Sequence, residues 1–132
     1  MNNLVPSIMS LGAALLLPAC IVTDGDRDPI GTLTVEWTID GRRDPIDCAD
    51  FGVDRLELVI SDARGNLVEE IEPWCESFFV AVDLFEGRYF ADATLVDSVD
   101  RAATLTLPID AIDVIAGTDL VVGVDFPLGS FL

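Results

Sequence analysis

Thr32 to Ile39 alternates without a fault. Leu33, Val35, Trp37 and Ile39 fall on one side, and Thr32, Thr34, Glu36 and Thr38 on the other. Successive strand residues point to opposite faces, so this is a half-buried β-strand. The same period returns along the chain. Leu56, Leu58 and Ile60 carry it, then Phe78, Val80, Val82 and Leu84, then Tyr89, Ala91, Ala93 and Leu95. Leu120, Val122, Val124 and Phe126 carry it last. Leu67 to Glu72 reads as a more polar strand near an edge, ended by Pro73. Ala102 to Leu107 reads as a Thr-rich strand stopped by Pro108, and Ile109 to Gly117 as less regular chain with room for a short edge strand. Seven strands about ten residues apart, with no long helical period, predict an all-β fold: a single antiparallel β-sandwich. A parallel sheet would need crossover helices, and none is visible.

One short helical turn interrupts the strands. Asp44 suits an N-cap, Pro45 the first helical position, Asp47 the first turn, and Gly52 the end. Asp40-Gly41 and Ser61 to Asn66 read as turns. Trp37, on the apolar face of the first strand, reads as a core anchor.

The charge balance removes several functions. The chain has 24 acidic residues, seven Arg, no Lys and no His, for a net charge of −17. Nothing here could neutralise a phosphate backbone, so nucleic acid is excluded as a partner. Without His, the usual nucleophile–base pairs cannot be assembled, and the chain reads as a non-enzyme. Calcium, which takes hard oxygen ligands, is the alternative that the 17 Asp allow. The densest stretch offers Asp40, Asp44, Asp47 and Asp50 as candidate ligands. Turn, cap and helix-dipole duties explain several of the same aspartates. Asp24, Asp26 and Asp28 begin like a calcium loop, but Pro29 and Val35 stand where the loop needs Gly and Glu.

Leu4 to Val22 carries no charge, and its most apolar part, Ile8 to Leu17, is too short to span a bilayer. It fits the apolar region of a secretory signal. Leu17-Pro18-Ala19-Cys20 resembles a bacterial lipobox, with Pro18 and the uncharged Met1-Asn2-Asn3 departing from the pattern. The resemblance implies a signal peptide over 1–19, lipidation of Cys20, and an acidic tether over 20–30 before a β-domain over 31–132. It implies anchoring in the bacterial envelope. Ile21, rather than Asp, after the cysteine points to the outer membrane. Three cysteines then leave Cys48 and Cys75 to each other in an oxidising compartment. The alternative is a pair of buried thiols acting as small apolar side chains.

The run from Phe78 to Leu95 pairs alternating apolar residues with L-x-x-G-x-Y at Leu84, Gly87 and Tyr89. It resembles the prealbumin-like, or carboxypeptidase-regulatory-like, sandwich and other immunoglobulin-like stalk domains. On that likeness Gly87 permits a tight turn between strands, and Tyr89 buries its ring while its hydroxyl bonds a backbone group. Such modules act as spacers, adhesion domains or accessory domains. The functional expectation is a lipid-anchored structural or binding module with a protein or glycan partner; the alternative is a calcium-dependent adhesion or carbohydrate-binding module.

Overall fold

The computed structural model describes residues 29–132. Cys20 and the acidic stretch before Pro29 lie outside the described residues. Seven strands follow one another: β1 (Ile30–Ile39), β2 (Arg55–Asp62), β3 (Leu67–Ile71), β4 (Phe79–Phe85), β5 (Gly87–Val96), β6 (Leu107–Val114) and β7 (Asp119–Phe126). A helix, α1 (Pro45–Asp50), stands between β1 and β2. The strands form two sheets, one in the order β4-β1-β7 and the other in the order β3-β2-β5-β6.

Alternation builds the interior. Leu33, Val35, Trp37 and Ile39 of β1 are fully buried, as are Leu56, Leu58 and Ile60 of β2. Ala91, Ala93 and Leu95 of β5 and Ile112 of β6 join the same apolar cluster, so both sheets contribute to one core. Burial of this kind is the main favourable term in folding.

Two expectations need correction. The pairing is not wholly antiparallel: β1 and β7 run parallel, from Thr32 beside Asp119 to Ile39 beside Phe126. A parallel pair needs a long connection that returns the chain to its starting side. Here the whole four-stranded sheet lies within that connection, so no crossover helix is required. The sixth strand is also displaced. Residues 102–106 do not form a strand, and β6 runs through Pro108. The hydroxyl of buried Thr104 accepts the Leu95 N–H at 3.1 Å, where a strand would offer a carbonyl. Pro108 is tolerated because β6 is an edge strand.

Leu84 is buried as expected, while the Gly87 reading changes. β4 and β5 belong to different sheets, so Glu86 and Gly87 carry a crossing rather than a hairpin. Gly87 is not among the residues with positive φ. The close approach is instead at Gly31 of β1, where a Cβ would strike the Ile115 carbonyl and sit 2.9 Å from Val114 Cγ1. Tyr89 is buried, and its hydroxyl donates to the Phe85 carbonyl at 2.7 Å, which ties β5 back across the crossing. Burial pushes its phenol above the usual range, aided by the charge of Asp62. Tyr89→Phe is expected to cost about 0.5–1.5 kcal/mol in urea unfolding, the net worth of one hydrogen bond.

Candidate binding surface

The molecule has two distinct ends. β1 starts at the near end, where Ile30 pairs with Phe85 and the β6–β7 turn closes over Gly31. The far end gathers the β1–β2 connection with α1, residues 72–78, residues 97–106 and the last residues, 127–132.

Local chemistry builds the far end one segment at a time. Asp40 and Gly41 both take positive φ, 52° and 75°. That conformation matches a two-residue hairpin turn, and Ile39 and Arg42 exchange both backbone bonds across it, at 2.9 and 3.0 Å. Asp44 caps α1, its Oδ1 accepting from the Ile46 N–H at 3.0 Å, with Pro45 at the first position. Asp47 turns inward. It is 3% exposed, its Oδ1 accepts from Arg42 at 2.7 Å, and its Oδ2 has no protein partner.

Cys48 follows on the helix and forms a disulfide with Cys75, with the Cα atoms 6.1 Å apart. The bridge fastens α1 to the turn at Cys75–Ser77, between β3 and β4. Trp37 holds the same turn from the core side. Its indole N–H donates to the Cys75 carbonyl at 3.1 Å, and its backbone N–H to the Phe78 carbonyl at 3.1 Å. Phe78 is buried and has φ of 58°, a left-handed conformation that a bulky residue keeps only when its surroundings impose it.

Arg55 gathers the loops that cover β2. Its guanidinium donates to Asp54 at 3.0 Å, to Glu72 at 2.7 Å and to Asp100. The Asp100 hydrogen bond is the chief cause raising the Arg55 pKa. Asp97 shapes the next loop, its Oδ1 accepting the N–H groups of Val99 (3.0 Å) and Arg101 (2.9 Å). The chain end is fastened too. Leu132 donates to the Ala103 carbonyl at 3.0 Å, and the rings of Phe51 and Phe131 stack at 4.4 Å. What this end shows to solvent mixes apolar side chains with charged ones, among them Arg42, Arg43, Asp50, Glu76 and Arg101. Trp74 is 59% exposed, Ile46 60% and Val99 61%, with Leu105 and Leu128 also outside.

The four candidate calcium ligands are not brought together. Asp44 and Asp47 are engaged as described, and Asp40 shapes a turn. Asp50 ends α1. Among the described residues, the carboxylates that converge are Glu57, Glu70 and Glu72, whose oxygens lie within 4.8 Å of one another. Sequence reading missed this group because Glu57 lies on β2 while Glu70 and Glu72 lie on and just past β3, and alternation does not reveal the register between them. Glu72 already serves Arg55. The Arg55 network escaped notice for the same reason, since its partners lie up to 45 residues away.

Hydrogen bonding holds three carboxylates below the usual range. For Asp97 the chief cause is the Arg101 N–H, for Asp62 the Asn66 N–H, and for Asp113 the Arg88 side chain. A group with a lowered folded pKa takes up its proton more readily when unfolded. Its contribution is therefore fully present above the ordinary value of 3.8 and is lost as pH falls through the folded value. Asp97→Asn keeps the acceptor oxygen and removes the titration. Urea midpoints measured from pH 5 downward should fall less steeply for this variant; parallel curves would refute the assignment.

No family model matches this chain, and no curated protein matches it. Solved structures do resemble it. A leucine-rich repeat protein from Bacteroides thetaiotaomicron VPI-5482 is similar over 74% of this chain, with a TM-score of 0.51 and 14% identity. The Bacillus anthracis TIE protein is similar over 74%, with a TM-score of 0.48 and 17% identity. This chain spans only 12% and 17% of their respective lengths. The first likeness is one of fold alone, and it makes the chain an all-β, two-sheet unit whose architecture recurs as a small part of a much larger protein.

Proposed function

We propose that this chain is a non-catalytic sandwich module of the immunoglobulin-like or prealbumin-like kind. A lipid on Cys20 holds it to the bacterial envelope, at the outer membrane, and its far end meets a protein or glycan partner. One observation carries the reading. The anchor side joins the fold at the near end, where β1 begins, while exposed Ile46 of α1 and Trp74 and Val99 of two loops stand at the opposite end. Those loops are stiffened by a disulfide and a network around one arginine, which lowers the entropy lost when a partner binds. A binding module needs its contact surface turned away from its attachment and held in shape, and this layout supplies both. The open hollow of about 400 Å³ at the near end fits a structural role. Of its carboxylates, Asp62 accepts backbone N–H groups and Glu86 accepts from Ala116 at 3.0 Å.

Two measurements test the proposal. The native protein from the membrane fraction should have the mass of residues 20–132 plus acyl chains, and Cys20→Ser should release the chain from that fraction. Photo-crosslinkers placed at positions 46 and 74 should give the same adduct in intact cells, and one at position 92, on the outer face of β5, should give none. Adducts from position 92 alone, or equally from all three, would overturn display from the far end.

A further inference from the structure

Among the described residues each sheet has two free edges, and three of the four edge strands carry features that block further pairing. β3 is short, its pairing with β2 shifts register opposite Ile60 and Ser61, and it places Glu69 beside buried Ile60. β6 contains Pro108 and Ala111 at φ 57°, and its pairing with β5 shifts register opposite Tyr89 and Ala91. β7 has Gly123 within it and an aspartate near each end. Proteins blunt edges in these ways because an open edge invites another strand. β4 has only one of them, the single charge of Asp83. It keeps unbroken register with β1 and contains no Pro, Gly or bulge.

Hydrogen bonds show which β4 residues face outward. Trp37 donates to the Phe78 carbonyl at 3.1 Å, and Glu86 to the Pro29 carbonyl at 2.8 Å. In an antiparallel ladder the bonded pairs alternate, so the even-numbered residues of β4 turn their backbone groups to β1. Phe79, Ala81, Asp83 and Phe85 turn theirs to the free side. Their side chains stand on the outer face, with Phe79 and Phe85 each 57% exposed.

We propose that β4 pairs antiparallel with β4 of a second copy, about a two-fold axis at Val82, joining two three-stranded sheets into one. In this register Phe79 lies across from Phe85 of the second copy, and Ala81 across from Asp83. All the outward backbone groups of these residues find partners, and the aromatic rings meet at both ends. Sliding the strands by two residues leaves Phe79 or Phe85 beyond the pairing. One such slide also sets Asp83 against its own counterpart, a like-charge contact. Asp83 is the strand's one charged residue, and its Oδ1 accepts from the Thr32 hydroxyl at 2.8 Å. The net charge of −17 repels at long range, so association strengthens as salt is added.

The test is sedimentation equilibrium of the full chain in density-matched detergent, from about 1 μM to about 1 mM. A monomer–dimer equilibrium is expected. Ala81 is exposed, so its substitution leaves the core intact, and melting curves confirm folding. Ala81→Lys faces Asp83 twice across the axis and should tighten the dimer about tenfold, and Ala81→Asp should weaken it about tenfold. A chain monomeric throughout overturns the proposal. So does a dimer that the two variants shift in the same direction or not at all.

Discussion

Loss of the Cys48–Cys75 bridge is expected to lower the unfolding free energy by about 3.5 kcal/mol. The bridge spans 27 residues, and that figure follows from the chain entropy such a closed loop removes from the unfolded state. For a domain of this size the melting temperature should fall by roughly 15–25 °C. Cys48→Ala with Cys75→Ala, compared with wild type in thermal melts, measures it. Both sulfurs are buried, so truncation adds a small cavity cost that reduction of the native protein does not. The two treatments should agree to within about 1–2 kcal/mol. A fall of under about 5 °C in both would mean that the surrounding hydrogen bonds already hold α1 and the Cys75 turn together.

The second large effect is expected at Trp37. Its ring is wholly buried, 6.4 Å from the Phe78 ring, and its N–H satisfies the Cys75 carbonyl. Trp37→Ala should cost about 3–5 kcal/mol, a large share of a small domain's stability. Trp37→Phe keeps part of the volume and leaves the Cys75 carbonyl with the Phe78 N–H alone, so loss of one hydrogen bond and some packing is expected to cost about 1–3 kcal/mol in urea unfolding. Trp37 and the bridge hold the same turn, so Trp37→Phe and bridge removal should not add. Strict additivity would show that the two act on the turn independently.

Much of the strand pattern was legible because a sheet with one buried face writes its period into the chain. β1, β2 and β5 are examples, and so are the Asp44 cap and the pairing of Cys48 with Cys75. The direction of β7 was not legible. Alternation reads the same forwards and backwards, and the partner of β7 lies some 90 residues earlier. β6 was misplaced because Ala102 to Leu107 imitates a strand, while its backbone bonds go to Leu95 and the last residues and the Thr104 hydroxyl serves the Leu95 N–H. The aspartates of residues 40–50 were legible as turn and cap residues, and that is how Asp40 and Asp44 serve. The acidic group at Glu57, Glu70 and Glu72 depends on register between strands, which composition does not carry.

The parallel β1–β7 pair has a mechanical consequence. β1 begins at the near end and β7 finishes at the far end, so a pull applied between the start of β1 and the end of β7 runs along both strands. The ladder from Thr32 to Ile39 is then loaded in shear, and its bonds share the force. An antiparallel pair with both termini at one end would be peeled open bond by bond. Stretched between its first strand and its last, the domain therefore resists most strongly along the line of those two strands.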